Sequence, residues 1–312
     1  MKEILSKRCI LITGKGGVGR SCLTAAFARL AERVRKRVLV AEIGDEGNDY
    51  SPLASHFQRA RLPSVVEEIA PGVSAVTLLP RTGQELFLSS VFHTRTLARA
   101  ALASETVRRL LNAGPSFREM GVFFQLLTLL REKRSDGAFA HEIILVDMPA
   151  TGHTLSLTGL PDQLLRLVPR GPIADALHDG RSYLNDPAQS AAWVVTLPET
   201  LPVSECLELL DGLAGTGMPV GGIVLNRVPS DPFTVAERDA LRPLLARHHL
   251  YGADGFGRAE LSQREARRLR AGTSLPITLV PELGVSHHEM ASAIADALLC
   301  AERLPPPRTA VS

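Results

Sequence analysis

The sequence predicts an α/β architecture: a doubly wound, mainly parallel sheet carrying a helical insertion. Three observations support this. Strand-length apolar runs alternate with helix-like segments along most of the 312 residues, as in chains whose strands are buried between two layers of helices. A glycine-rich loop joins the first apolar run to the first helical pattern. The run Glu142–Val146 ends on an acid, Asp147, at the strand terminus where such sheets gather their ligand loops. The apolar fraction of 45% is enough for a large core. Residues 1–312 read as a single domain with an insertion over about 86–137 and a loose Pro-rich tail over 304–312. No internal repeat or dividing linker interrupts them.

The first strand is Cys9–Ile12, and the glycine loop follows as Gly14, Lys15, Gly16, Gly17, Val18, Gly19, Arg20, Ser21, with Cys22 adjoining. Glycines let backbone N–H groups turn inward around phosphate oxygens, and the following helix adds the positive end of its dipole. The spacing is that of a P-loop nucleoside triphosphatase, G-x-x-x-x-G-K-[ST], except that Arg20 stands where the phosphate lysine belongs. Arginine can hold phosphate, but its planar fork does not replicate a lysine point charge. The Ser21 hydroxyl is placed to ligate Mg²⁺. Lys15 is the more notable because lysine is rare among the 35 basic residues; its early place in the loop marks the variant in which a lysine reaches a nucleotide on a facing subunit.

Leu23, Ala26, Phe27, Leu30 and Val34 recur at helical spacing. A second strand, Arg37–Ile43, leads into the polar stretch Gly44–Asp49. One of Asp45, Glu46 or Asp49 would orient a water there, or the stretch is a solvated turn; Asp45 is the catalytic candidate. Val73–Leu78 is a third strand after the turn at Pro71-Gly72. Helical texture then runs to about Arg134, apolar on more than one face around Met120, Phe123 and Leu126. Such helices are either buried by neighbours or present an apolar surface to a partner. Asp147 is the second metal candidate and a catalytic one, and Gly152 can bring a backbone N–H to the terminal phosphate. His153 would orient that loop or act as a base. Ala192–Leu197, Gly222–Arg227 and Pro276–Val280 complete the strands. Asn226 ends one of them, where its amide can meet a purine edge. Glu237–Arg270 is Arg-rich and reads as a solvated helical face, and a last helix covers about 289–303.

Net charge is +2, which creates no strong field for nucleic acid or an anionic membrane. No apolar run approaches the ~20 residues of a membrane span, and no signal peptide opens the chain. Cys9, Cys22, Cys206 and Cys300 are scattered, which disfavours a zinc site or disulfide framework and fits a reducing cytoplasm.

The loop GKGGVGRS, the stretch Asp147–Thr154 (DMPATGHT) and Leu197-Pro198-Glu199 together resemble the ArsA-type ATPases. This family includes the arsenite-pump ATPase and the ATPase that targets tail-anchored membrane proteins. The D-x-P-A-T-G-H stretch separates it from the MinD/ParA and Mrp-type relatives. The resemblance implies a nucleotide-dependent dimer holding ATP and Mg²⁺ at its interface. It implies Lys15 reaching across, Ser21 and Asp147 on the metal, Asn226 on adenine, and the loop at Pro281 and Leu283 flanking the base. Three departures stand out. Arg20 replaces the loop lysine. The catalytic aspartate after the second strand falls on Gly44, with Asp45 one place late. The cysteines for arsenite or zinc are absent, and the helical segment is poor in methionine. ATP binding is compatible with these departures; rapid hydrolysis is not expected from them. The leading expectation is a cytoplasmic ATPase that couples ATP state to a protein client through its helical segment, as a homodimer or a heterodimer with a related ATPase. The alternatives are a non-catalytic ATP-binding subunit paired with a competent relative and, third, a MinD/ParA-like positioning ATPase. Neither nucleic-acid binding nor stable membrane insertion is expected.

Overall fold

The structure is a computed structural model that describes residues 4–47, 50–92, 115–149, 151–167, 169–170, 172–247 and 252–300. Strands β1 (Cys9–Gly14), β2 (Val38–Ile43), β5 (Ile143–Asp147) and β6 (Ser190–Thr196) form the middle of the sheet. Their apolar runs are continuous because helices cover both faces. With β3 (Glu67–Ala70), β4 (Val73–Leu78), β7 (Val220–Val228) and β8 (Ile277–Pro281) they give the order β3-β4-β2-β5-β1-β6-β7-β8. Every neighbouring pair is parallel except β3 with β4. The predicted doubly wound α/β sheet is therefore present.

Successive side chains on a strand point to opposite faces, and this divides the core in two. On one face Ile10, Ile12, Val38, Val40, Ile143 and Leu145 pack beneath α1 (Arg20–Arg33), α2 (Pro52–Ser55) and the C-terminal helix. On the other, Cys9, Leu11, Leu39, Ala41, Ile144 and Val146 meet the remaining helical layer. That layer includes α3 (Pro80–Phe92), α4 (Pro115–Arg131), α5 (Thr151–Leu167), α6 (Pro172–Asn185) and α7 (Thr200–Thr216). Helix α8 (Val235–Arg247) lies against α9 (Ala253–Ala271) through Arg238 and Phe256, α9 completes the layer through Leu269, and α10 (His287–Cys300) packs on the first face. The Pro-rich tail and residues 93–114 lie outside the described residues.

Several boundaries and environments differ from the sequence reading. The helical segment begins at Pro80, not near 86, and a Lys133–Phe139 bridge closes its far end. Met120, Phe123, Leu126, Leu127 and Leu130 of α4 are buried in the sheet core. Among the described side chains, none of the exposed large apolar ones lies on α3 or α4, and Phe87 joins the α4 residues in the core. The Arg-rich stretch is not one solvated face. It forms two helices, and Arg238 is held by Asp231 and stacked over Phe256, while Glu265 accepts from Arg264 and Arg268. Strand β3 and helix α2 add to the elements expected from the sequence: the first is a short, largely exposed edge, the second only four residues. The predicted loop at Thr151–His153 is instead the first turn of α5, which a Thr13–Thr154 hydroxyl contact of 2.8 Å ties to β1.

Candidate nucleotide-binding site

Strand β1 delivers the glycine loop to the carboxyl edge of the sheet. A Cβ on Gly14, whose φ is +149°, would stand 2.3 Å from the Val195 carbonyl oxygen, so only glycine lets the loop leave the strand so close to β6. Val18 buries its side chain in the core beneath the loop. Asn226, buried at the end of β7, donates from Nδ2 to the Val18 carbonyl at 2.9 Å. One amide N–H of Asn226 is thus committed to the loop rather than to a base. The loop is braced by core and strand before any ligand arrives.

Arg20 opens α1 and donates from Nη1 to the Met148 carbonyl. Burial lowers its pKa, and nearby Asp147 opposes that shift. Ser21, the next residue, stands beside the Asp147 carboxylate and favours its ionised form. Asp147 is 7% exposed and its Oδ1 has no hydrogen-bond partner. Burial is the main cause that pushes its pKa up to about 6; Ser21 and Arg20 oppose it, and Glu42 adds to it. A buried carboxylate oxygen without a partner, beside a hydroxyl, is a donor set suited to a hard cation such as Mg²⁺. The residues present therefore fit that ion.

A cleft of about 670 Å³ opens from the loop, within the range of small-molecule sites. Gly16, Gly17, Gly19, Arg20, Ser21 and Cys22 form one wall, and Asn226, Pro281 and Leu283 another. Three elements far apart in sequence thus line one cleft. The far wall carries His56 and His287, whose rings stack at 4.5 Å. Burial, with His287 as the second cause, pulls the His56 pKa down to about 4. An unfolded histidine titrates near 6.5, so the unfolded chain binds the extra proton first. Stability from the neutral ring is complete above pH ~6.5 and falls by about 2 kcal/mol as pH drops to about 5 and about 3 kcal/mol by about 4. His56→Phe keeps a flat ring against His287 and is expected to shed this slope. Thermal melts between pH 7.5 and about 5 check it; parallel profiles for the two proteins would remove His56 as the cause.

Other candidates are not gathered in this cleft. Lys15 Nζ lies 3.1 Å from Glu205 of its own chain, on α7. Asp45 pairs with Arg118 of α4 and lines a separate cleft that also contains Glu119 and His153. Glu46 accepts from the Arg81 backbone N–H, and Asp49 lies outside the described residues. Gly152 is exposed in the first turn of α5 and does not line the cleft, and His153 Nδ1 stands 3.4 Å from Glu119. Glu42 is the functional candidate that the sequence reading misses. Its signal is present all the same: it is the one acid in an otherwise apolar buried strand.

A parallel sheet that presents a glycine loop, a serine and a buried strand-end aspartate at one edge defines a P-loop nucleotide-binding protein. The family described as anion-transporting ATPase (ArsA type) matches residues 7–170, just over half of the chain, and the chain belongs to this family. The ATPase BagA of Mycobacterium tuberculosis is 28% identical over 226 residues, covering 70% of this chain and 65% of that protein. The arsenical pump-driving ATPase of Escherichia coli is 26% identical over 223 residues, covering 70% of this chain and 34% of the pump ATPase. The matched region thus spans about two thirds of the first relative and one third of the second. Among the described residues no helix is long and apolar enough to cross a membrane.

Proposed function

We propose that this protein is a Mg²⁺-dependent ATPase that works as a nucleotide-dependent dimer in the cytoplasm, its 312 residues acting as one domain. The observation that carries the reading is the Ser21–Asp147 pair, with Asp147 Oδ1 unpartnered, below the braced glycine loop. The loop N–H groups and Arg20 would hold the phosphates, and Ser21 and Asp147 would hold Mg²⁺, which supplies positive charge to the transferred phosphoryl oxygens. Asn226, Pro281 and Leu283 would receive the base. Lys15 is half exposed at the loop tip, where release from Glu205 would free it for a facing subunit. Arg118–Asp45 and His153–Glu119 link α4 to the loop after β2 and to the first turn of α5. These pairs offer a route from nucleotide state to a partner on the helical side.

A second reading is favoured by Arg20, whose guanidinium donates to Met148 instead of standing free: a non-catalytic subunit that binds ATP and borrows turnover from a related ATPase. Calorimetric ATP titration, light scattering and single-turnover hydrolysis of the purified chain test both. The first reading expects Mg²⁺-dependent ATP binding, a larger dimer fraction with ATP, and cleavage that Lys15→Ala removes. Tight binding without cleavage would select the second. No ATP binding up to millimolar concentration would sink both.

A further inference from the structure

Strand β2 ends with a charged group that the reading above leaves unused. Glu42 is 6% exposed on a strand whose preceding residues are all apolar. Its Cα partner on β5 is Asp147, a separation of about 4.8 Å between neighbouring strands. Val38 and Val40 share the parity of Glu42, Ile143 and Leu145 that of Asp147, and all four apolar residues pack on the face covered by α1. Both carboxylates therefore project on the face covered by α1, Asp147 beside Arg20 and Ser21 and Glu42 beside Ser51.

Ser51 donates to Glu42 Oε1, the Leu53 backbone also favours the ionised Glu42, and Ser21 stands beside Asp147. Glu42 Oε2 and Asp147 Oδ1 have no partner. Buried like charges side by side are costly unless a cation lies between them. Arg20 is close to Asp147 but donates from one arm to Met148. Among the described residues, the two nearest alternatives after β2 are otherwise engaged. A Cβ at Gly44 would meet Thr77 Cγ2 at 2.5 Å, so a side chain there requires Thr77 to move. Asp45 is held by Arg118.

We propose that Glu42 is the second carboxylate of the metal site, holding the water shell of the Mg²⁺ that Ser21 and Asp147 bind, in place of the acid missing at position 44. The inference rests on the ATPase reading and adds a ligand-holding residue to it. Mg²⁺ keeps several waters and is commonly held by one or two carboxylates together with phosphate oxygens. Carboxylates that orient such a shell typically change metal affinity by about 10–100-fold when removed.

The test uses Mn²⁺ as the probe, titrated by electron paramagnetic resonance into the full chain saturated with ADP, alongside ADP affinity in EDTA. Glu42→Gln retains an acceptor for Ser51 and is expected to weaken Mn²⁺ about tenfold or more, with ADP affinity in EDTA unchanged. Glu42→Asp retracts the charge by one methylene and is expected to act in the same direction; it carries the test where the glutamine variant does not fold. Unchanged Mn²⁺ affinity in either folded variant overturns the role of Glu42 while leaving ADP binding, and the ATPase reading, in place. Equal loss of metal-free ADP binding and Mn²⁺ binding also overturns it, because Glu42 would then support the loop alone. Wild-type protein that binds neither ADP nor ATP overturns the ATPase reading itself.

Discussion

Asp147→Asn is expected to slow single-turnover ATP hydrolysis by at least about a hundredfold, since phosphoryl transfer depends on the charge held at the reacting oxygens. ATP affinity in EDTA should stay within about threefold, less than 1 kcal/mol, because Asp147 contacts Ser21 and not the loop N–H groups. The same substitution should stabilise the metal-free protein. Burial pushes the Asp147 carboxyl up to about 6, above its unfolded value near 3.9. Between those values the folded chain binds more protons, so stability decreases as pH rises through about 6. The ionised side chain then costs on the order of 2 kcal/mol. Asparagine carries no such charge. Melting in EDTA at pH 8 should therefore favour the variant, and the gap should close near pH 4. A variant that is both slower and more stable is the signature of a carboxylate kept for a ligand. Full hydrolysis by Asp147→Asn would remove the residue from the reaction, and a less stable variant in EDTA would contradict the electrostatic account.

The second large effect concerns the joint between α3 and α4. A Cβ on Gly83 would lie 1.7 Å from the Gly121 carbonyl oxygen, and one on Gly121 would lie 2.1 Å from the Pro80 carbonyl oxygen. The two helices thus touch backbone to backbone, and neither glycine can gain a side chain without forcing them apart. Gly83→Val is expected to cost about 3 kcal/mol or more and to lower the melting temperature by roughly 6 °C or more. Gly215→Ala on α7 is the control. A Cβ added there would meet no atom within 4 Å, so the helix should be unchanged or gain up to about 1 kcal/mol. Equal melting temperatures for wild type and Gly83→Val would show that the crossing does not bear on stability. If Gly83→Val retains ATP affinity at temperatures below its own transition, the joint is structural and lies outside the nucleotide cleft.

Much of the nucleotide edge is legible in the sequence because its parts are local. A glycine loop between an apolar run and a helical pattern is readable from a dozen residues, and so is an acid ending the run before Met148. The strands are legible for a related reason: burial on both faces demands uninterrupted apolar side chains, as in Cys9–Ile12 and Ile143–Val146. The edge strand β3 bears no such demand and reads like a loop. Glu42 escapes a sequence reading because an acid at a strand end is informative only when its neighbour is known. That neighbour, Asp147, belongs to a strand far along the chain.

The amino-acid order by itself therefore determined the α/β class, the loop at Gly14–Ser21 and the acid at Asp147, since each follows from short-range periodicity, glycine content or the chemistry of a few adjacent residues. Only the tertiary structure decided which residues face one another: Asn226 against Val18, Lys15 against Glu205, Asp45 against Arg118 and Glu42 against Asp147. The reason is physical. Sheet order and register bring together side chains separated by tens to hundreds of residues, and no local pattern encodes that pairing; it emerges when the apolar faces of all eight strands are buried at once.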